Sequence, residues 1–142
     1  MAVVDAFQHW VYENQQAAQE AENCDRCWAQ LWERFMPGVD WGGLEQEMMT
    51  GWQRKPHIFD EPFYYIEYGM AQLGSVQIWR NSLEDREGSV AAYRQAISLG
   101  RSVTIPELYE AAGIRFAFDE QSLHTAVNTI MESIADLELE ID

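Results

Sequence analysis

The stretch His57-Ile-Phe-Asp-Glu-Pro-Phe-Tyr-Tyr-Ile-Glu-Tyr-Gly-Met-Ala-Gln-Leu-Gly-Ser-Val-Gln-Ile-Trp-Arg80 decides the fold. It opens on one histidine, places Tyr64, Tyr65 and Tyr68 within five positions, and continues as a nearly uncharged helical pattern. Between Phe63 and Trp79 the one charged residue is Glu67. A helix that is apolar on every side is ordinarily buried on every side. A buried central helix is therefore expected from Pro62, which suits a first turn, to near Asn81. Three phenol hydroxyls in such a setting need hydrogen-bond partners, from the protein or from a ligand in a cleft. Pro56 and Pro62 bracket His57, and each disfavours helix at the residue before it, so His57 is expected on a loop ahead of that helix.

Outward from this stretch the pattern stays helical. Residues 2–15 read as a first helix with Val3, Phe7 and Trp10 on one face and His9 opposite, between Asp5 and Glu13. Residues 17–36 read as a second, with Cys24, Cys27, Trp28, Leu31 and Phe35 on an amphipathic stripe that Pro37-Gly38 ends. Asp40 is a cap for a short helix over 42–52. A helix over 86–99 follows and stops at Gly100. Thr104-Ile-Pro-Glu107 is a capping box with proline in the first turn. Asp119 caps a last helix whose Leu123, Val127, Ile130, Ile134 and Leu137 share a face, with a tail from Glu138 expected to fray. No stretch alternates with strand period. The expectation is an all-α chain of about six helices, forming a single domain over residues 1–142.

The composition narrows the function. With 24 acidic against nine basic residues the net charge is -15, which repels nucleic-acid phosphate and anionic lipid. No apolar run reaches the roughly 18 residues of a membrane span. The N-terminus lacks the basic region of a signal peptide, and two cysteines without such a signal fit a cytoplasmic setting. Helical periodicity starts almost at Met1, as it does both in independent domains and in portions of longer proteins.

Cys24 and Cys27 form a lone C-x-x-C in the middle of a helix. A zinc site needs two further ligands, and a redox motif belongs at a helix N-terminus, so both thiols are read as buried apolar side chains. His9 reads as solvated between two carboxylates, and His124, beside the last apolar stripe, as structural.

At the central stretch the sequence resembles the zinc metallopeptidases of the thimet oligopeptidase and oligoendopeptidase F type. The matching words are Thr50-Gly-Trp-Gln-Arg-Lys55, His57-Ile-Phe, Pro62-Phe-Tyr-Tyr-Ile-Glu-Tyr-Gly-Met-Ala-Gln-Leu-Gly74 and Gln77-Ile-Trp-Arg80. The likeness extends to Tyr93-Arg-Gln-Ala96, Pro106-Glu-Leu-Tyr-Glu-Ala-Ala-Gly113 and Val4-Asp-Ala-Phe-Gln-His-Trp10. It is closest to the C-terminal part of the catalytic domain in the oligoendopeptidase F branch, and implies the helical fold of a zincin-like oligopeptidase.

In that family, zinc held by H-E-x-x-H and a further glutamate activates water, and a downstream histidine and tyrosines bind peptide and steady the tetrahedral intermediate. The resemblance implies that His57, Tyr64, Tyr65 and Tyr68 contact substrate, and that His57 and Tyr68 stabilise the transition state. Donors aimed at a growing oxyanion are worth roughly 2.7–4 kcal/mol each. The departure is equally plain: this sequence contains no H-E-x-x-H. No metal ligand is assigned to it, no zinc is expected on this chain alone, and no peptide cleavage by it alone.

Three readings follow. The first is the substrate-binding, oxyanion-stabilising portion of a zinc oligopeptidase, acting on oligopeptides with a separate zinc-bearing N-terminal chain or self-associating through an exposed apolar face. The second is a non-catalytic helical module that binds peptide or protein in an aromatic cleft. The third, a metal or redox module on Cys24 and Cys27, rests on one weak motif.

Overall fold

Helix caps and breakers set the architecture of this chain. The computed structural model describes residues 1–141, and among them the backbone forms eight α-helices, two 3-10 turns and no strand. The helices are α1 (Ala2–Glu13), α2 (Ala21–Phe35), α3 (Glu45–Met49), α4 (His57–Asp60), α5 (Ile66–Glu84), α6 (Arg86–Leu99), α7 (Ile105–Ala111) and α8 (Glu120–Ile141). The all-α expectation holds. Among the described residues no helix is long and apolar enough to cross a membrane. The chain forms two compact units, Met1–Gly69 and the part from Met70 onward.

The first unit is built on α1 and α2. Val3, Val4 and Phe7 recur at helical spacing on α1 and meet Cys24, Cys27 and Trp28 on α2. Phe7 and Trp28 are each 1% exposed, and their rings meet edge to face at 5.2 Å. The expected helix over 17–36 is interrupted. Ala17–Gln19 form a 3-10 turn, Glu20 is extended, and α2 starts at Ala21. Asn23 Nδ2 donates to the Ala17 carbonyl at 3.0 Å and Cys24 Sγ to that of Ala18 at 3.4 Å, so the break leaves neither oxygen unpaired.

The expected helix over 42–52 is also shorter. Asp40 caps a turn rather than a helix: its Oδ1 accepts from Gly42 N at 2.8 Å. Gly43 then takes φ +80°, which helix does not allow, and α3 begins at Glu45. Past Thr50 the chain tightens into the 3-10 turn Gly51–Arg54, laid directly on α2. A Cβ on buried Gly51 would sit 2.9 Å from Trp28 Nε1. Trp52 Nε1 donates to Asp25 Oδ1 at 2.7 Å, fastening the same turn.

The central helix departs most from expectation. Phe63 has φ +63°, so Pro62 lies in a turn and α5 starts at Ile66. The helix is not buried all round: Leu73 and Gly74 are its buried residues, while Ile66, Tyr68 and Trp79 are exposed. Lack of charge therefore reflects neither a core helix nor a strongly amphipathic one.

In the second unit, α5 from Met70 packs with α6 and α7 around Ala96, Ala112 and Ile114. Gly74 lets Tyr109 approach, and Tyr109 Oη donates to the Met70 carbonyl at 3.0 Å. Gln77 clamps the Arg115 backbone with both amide atoms, at 3.0 Å each, and Asn81 Nδ2 donates to the Gly113 carbonyl at 2.9 Å. The Glu107 carboxylate accepts from both the N–H and the hydroxyl of Thr104 at 2.7 Å. Asp119 accepts from Ser122 N at 2.9 Å, and Asp85, whose capping role the sequence reading missed, from Gly88 N at 2.9 Å. Helix α8 continues through the tail expected to fray.

Gly51→Ala should cost about 1–3 kcal/mol in urea denaturation followed by tryptophan fluorescence, because Trp28 has no room to yield. A neutral substitution would mean the turn is not seated on Trp28. The Thr104 bonds hold the Glu107 carboxyl below its usual range, and the Ser122 bonds do the same for Asp119. A carboxyl lowered in the folded state stabilises it above the unfolded value and loses that contribution as pH falls. Melting temperatures should therefore drop below pH 4.5, and the Glu107→Gln, Asp119→Asn double variant should show a shallower fall.

Candidate functional site

The site is built from three neighbouring segments of the first unit. The Gly51–Arg54 turn, held on α2 by Trp52, delivers the chain to Pro56 and the short helix α4. His57 is the first residue of α4, a helical turn where the sequence suggested a loop. Ile58 packs against the α1–α2 core, and the Phe59 ring lies 6.0 Å from that of Trp52. These contacts leave the His57 ring half-buried at the start of α4.

Phe63 then reverses the chain. A non-glycine residue in the left-handed region costs of order 1–3 kcal/mol and needs support. The support is visible: the Phe63 ring lies 4.9 Å from His9 and 5.0 Å from Tyr12, both on α1. This anchored turn sends Tyr64 and Tyr65 back over α4, and the first turn of α5 adds Tyr68.

The result is a box of rings around one imidazole. Tyr64 stacks nearly parallel to His57 with centroids 5.9 Å apart and an interplanar angle of 6°. Tyr65 meets the imidazole edge-on at 5.3 Å and Tyr68 at 5.8 Å. The tyrosines also touch one another, Tyr64 to Tyr68 at 5.7 Å and Tyr65 to Tyr68 at 5.3 Å. Tyr68 Oη and His57 Nε2 are 3.4 Å apart, a long hydrogen bond whose direction depends on the histidine tautomer. Tyr64 is 39% and Tyr68 43% exposed, so both can meet a ligand from solvent. All four residues singled out in the sequence thus come together. The arrangement offers phenol and imidazole donors on one accessible face, a chemistry suited to carbonyl oxygens.

The other histidines stand apart. His9 lies 3.7 Å from Asp5 as the spacing suggested, and also packs on Phe63, a contact the sequence gave no sign of. His124 is exposed, 3.5 Å from Glu120. Both cysteines are free and buried. Burial pushes the Cys27 thiol up to about 11, with the neighbouring Cys24 adding to it, and burial likewise raises Cys24, helped by Asp25. Thiols held protonated in this way are poor nucleophiles and poor metal ligands. Among the described residues no group of three or more His, Cys, Asp or Glu side chains is placed to hold a metal ion.

Sequence reasoning missed the devices that aim the site: Phe63, Asp25 and the close seat of Gly51. Asp-Glu-Pro at residues 60–62 was the available turn signal, but nothing local marks Phe63 for a positive φ.

A family model described as peptidase family M3 matches residues 1–127. No curated protein and no solved structure shows a significant match.

Phe63→Ala should destabilise the first unit by more than Phe63→Gly, by about 1–2 kcal/mol, since both lose the ring but glycine alone relieves the left-handed backbone. Equal losses in chemical denaturation would remove backbone strain from the account.

Proposed function

The chain belongs to peptidase family M3, and from that membership we propose that it supplies the peptide-holding, oxyanion-stabilising part of an oligopeptidase site. The family is zinc-dependent. The observation that carries the proposal is His57 enclosed by Tyr64, Tyr65 and Tyr68, with Tyr68 Oη 3.4 Å from His57 Nε2. The substrate class is an oligopeptide, and the branch is that of oligoendopeptidase F, on the quoted word Pro62–Gly74. The whole of residues 1–142 serves as one portion of a peptidase catalytic domain. Two free buried thiols support a cytoplasmic setting.

The roles follow from reach and chemistry. Tyr64 and Tyr65 have no protein hydrogen-bond partner for their hydroxyls among the described residues, so both are free to bond a peptide backbone. Tyr68 and His57 share a weak mutual bond, which a peptide carbonyl can replace at little cost. As that carbonyl oxygen gains charge, the donors gain strength, which is the condition for transition-state stabilisation.

Zinc does not fit the residues present. The sequence has no H-E-x-x-H, and the described residues bring no ligand set together. No step through a metal is assigned to this chain. Hydrolysis is proposed to require a separate zinc-bearing chain. The same observation favours a second reading, a helical module that binds peptide in the tyrosine box without cleaving it.

Binding of short peptides, followed by titration calorimetry, should weaken in His57→Ala and in Tyr68→Phe while folding is unchanged. Unaltered affinity in both would remove the site. The purified chain should not cleave an internally quenched peptide, and stoichiometric zinc with cleavage would show that the missing ligands are present after all. Adding a zinc-bearing chain separates the readings: restored cleavage that falls about 10²–10³-fold in Tyr68→Phe supports the catalytic role. Binding without cleavage supports the module.

A further inference from the structure

The end of α2 and the loop after it enclose a small cavity in the first unit that shares no residue with the tyrosine box. Its volume is about 170 Å³. Trp32 lies on the last turn of α2, Pro37-Gly38 breaks the helix, and Trp41 returns against Trp32. The backbone sets this bend: Gly38 takes φ +90°, Asp40 Oδ1 accepts from Gly42 N at 2.8 Å, and Gly43 takes φ +80°. The two indoles both line the cavity, with centroids 5.4 Å apart and planes at 75°. Met36 and, on α3, Met48 add to the wall, and Glu33 brings a carboxylate to it.

These two indoles differ from the core tryptophan one turn earlier. Trp28 is 1% exposed and closed over by Phe7, whereas Trp32 and Trp41 are half-buried. Trp32 touches the α1–α2 core on one side and lines the cavity on another. A half-buried indole at a cavity has π surface to offer a ligand. The flexible thioethers of Met36 and Met48 adapt to the shape of whatever enters.

Charge and hydrogen-bonding capacity select the ligand. Between Trp32 and Met48 stand four carboxylates, Glu33, Asp40, Glu45 and Glu47, and one cation, Arg34. Arg34 lies over the Phe35 ring at 4.9 Å, and neither of the two lines the cavity. Arg54 reaches this region through Nη2, which donates to the Glu47 carbonyl at 3.3 Å, and it too is outside the lining. Glu33 has no lysine, arginine or histidine nitrogen within 4.0 Å among the described residues. A cation is therefore the charge this cavity accepts, and an indole face is the side chain best suited to it. A primary ammonium carries three N–H donors that need acceptors. Glu33 is the one carboxylate of the lining, and the Trp32, Met36 and Trp41 carbonyls already accept from Met36 N, Val39 N and Leu44 N. A quaternary ammonium has no N–H to satisfy, and its methyl groups match indole and thioether surface.

We propose that this cavity binds a quaternary ammonium group, held by cation–π attraction to Trp32 and Trp41 and by the Glu33 carboxylate. A free trimethylammonium headgroup of the choline type and a trimethylated lysine side chain present the same methylated cation, and either can supply it. Binding needs nothing from the tyrosine box, so the site stands or falls independently of the peptidase reading.

Titration of the full chain with choline, followed through the indole N–H signals in a nitrogen–proton correlation spectrum, tests it. The Trp32 and Trp41 signals, assigned with Trp32→Phe and Trp41→Phe, should shift and saturate. Sodium chloride at matched ionic strength should leave them in place. The uncharged analogue of choline, with carbon in place of nitrogen, keeps the shape and should bind about tenfold more weakly. Glu33→Gln, at an exposed position, should weaken choline to a similar degree. Trp32 and Trp41 signals that stay still, or that follow sodium as they follow choline, overturn the proposal. So does an uncharged analogue that binds as well as choline, or an affinity unchanged in Glu33→Gln. Peptides separate the two sources. A trimethyl-lysine peptide that binds more tightly than choline assigns a side chain, and one that binds no more tightly assigns a free headgroup. An unmodified lysine peptide that matches its trimethylated form overturns the choice of a quaternary ammonium. Should either tryptophan variant lose its helical circular dichroism, Glu33→Gln and the uncharged analogue decide the matter on an intact fold.

Discussion

The first unit depends on the contact between Phe7 and Trp28. Two fully enclosed rings, edge to face at 5.2 Å, tie α1 to α2 and make the surface on which everything up to the tyrosines is laid. Trp52 extends that surface, 5.8 Å from Phe7 and bonded to Asp25. Gly51 is there because no side chain fits against Trp28. Each of these contacts is ordinary packing. Together they hold the Gly51–Arg54 turn, and through it His57, in one place.

The tyrosine box is a consequence of that scaffold. Four aromatic or heteroaromatic rings within a short stretch have many arrangements open to them in isolation. Here the choice is made by Phe63, whose left-handed backbone is tolerable because its ring is clasped by His9 and Tyr12 on α1. Strain at a turn beside a candidate site is a recurrent way of fixing side-chain direction. The two exposed tyrosines, Tyr64 and Tyr68, lean on one another and on His57 rather than on the core.

The second unit is organised differently. It has a small core, with short side chains at Ala96 and Ala112, and relies on side chain-to-backbone bonds from Gln77, Asn81 and Tyr109 to position the loop from Gly113 to Arg115. A core of that size leaves much apolar surface on α6 and α8 uncovered, and large uncovered apolar patches generally mark contact surfaces.

The sequence by itself determined the helical class, the main helices, the capping box at Thr104, the cap at Asp119, the buried cysteines and the four residues of the box. These are local matters of periodicity, capping chemistry and side-chain type, and local matters are legible in one dimension. Tertiary structure alone decided that α5 is largely exposed, that it begins at Ile66 rather than Pro62, and how the rings around His57 are set. The uncharged pattern from Phe63 to Trp79 looked like a core helix because hydropathy records what a residue tolerates, not what covers it. Where the helix starts was settled by Phe63 resting on a helix some fifty residues earlier, and no local signal carries that contact.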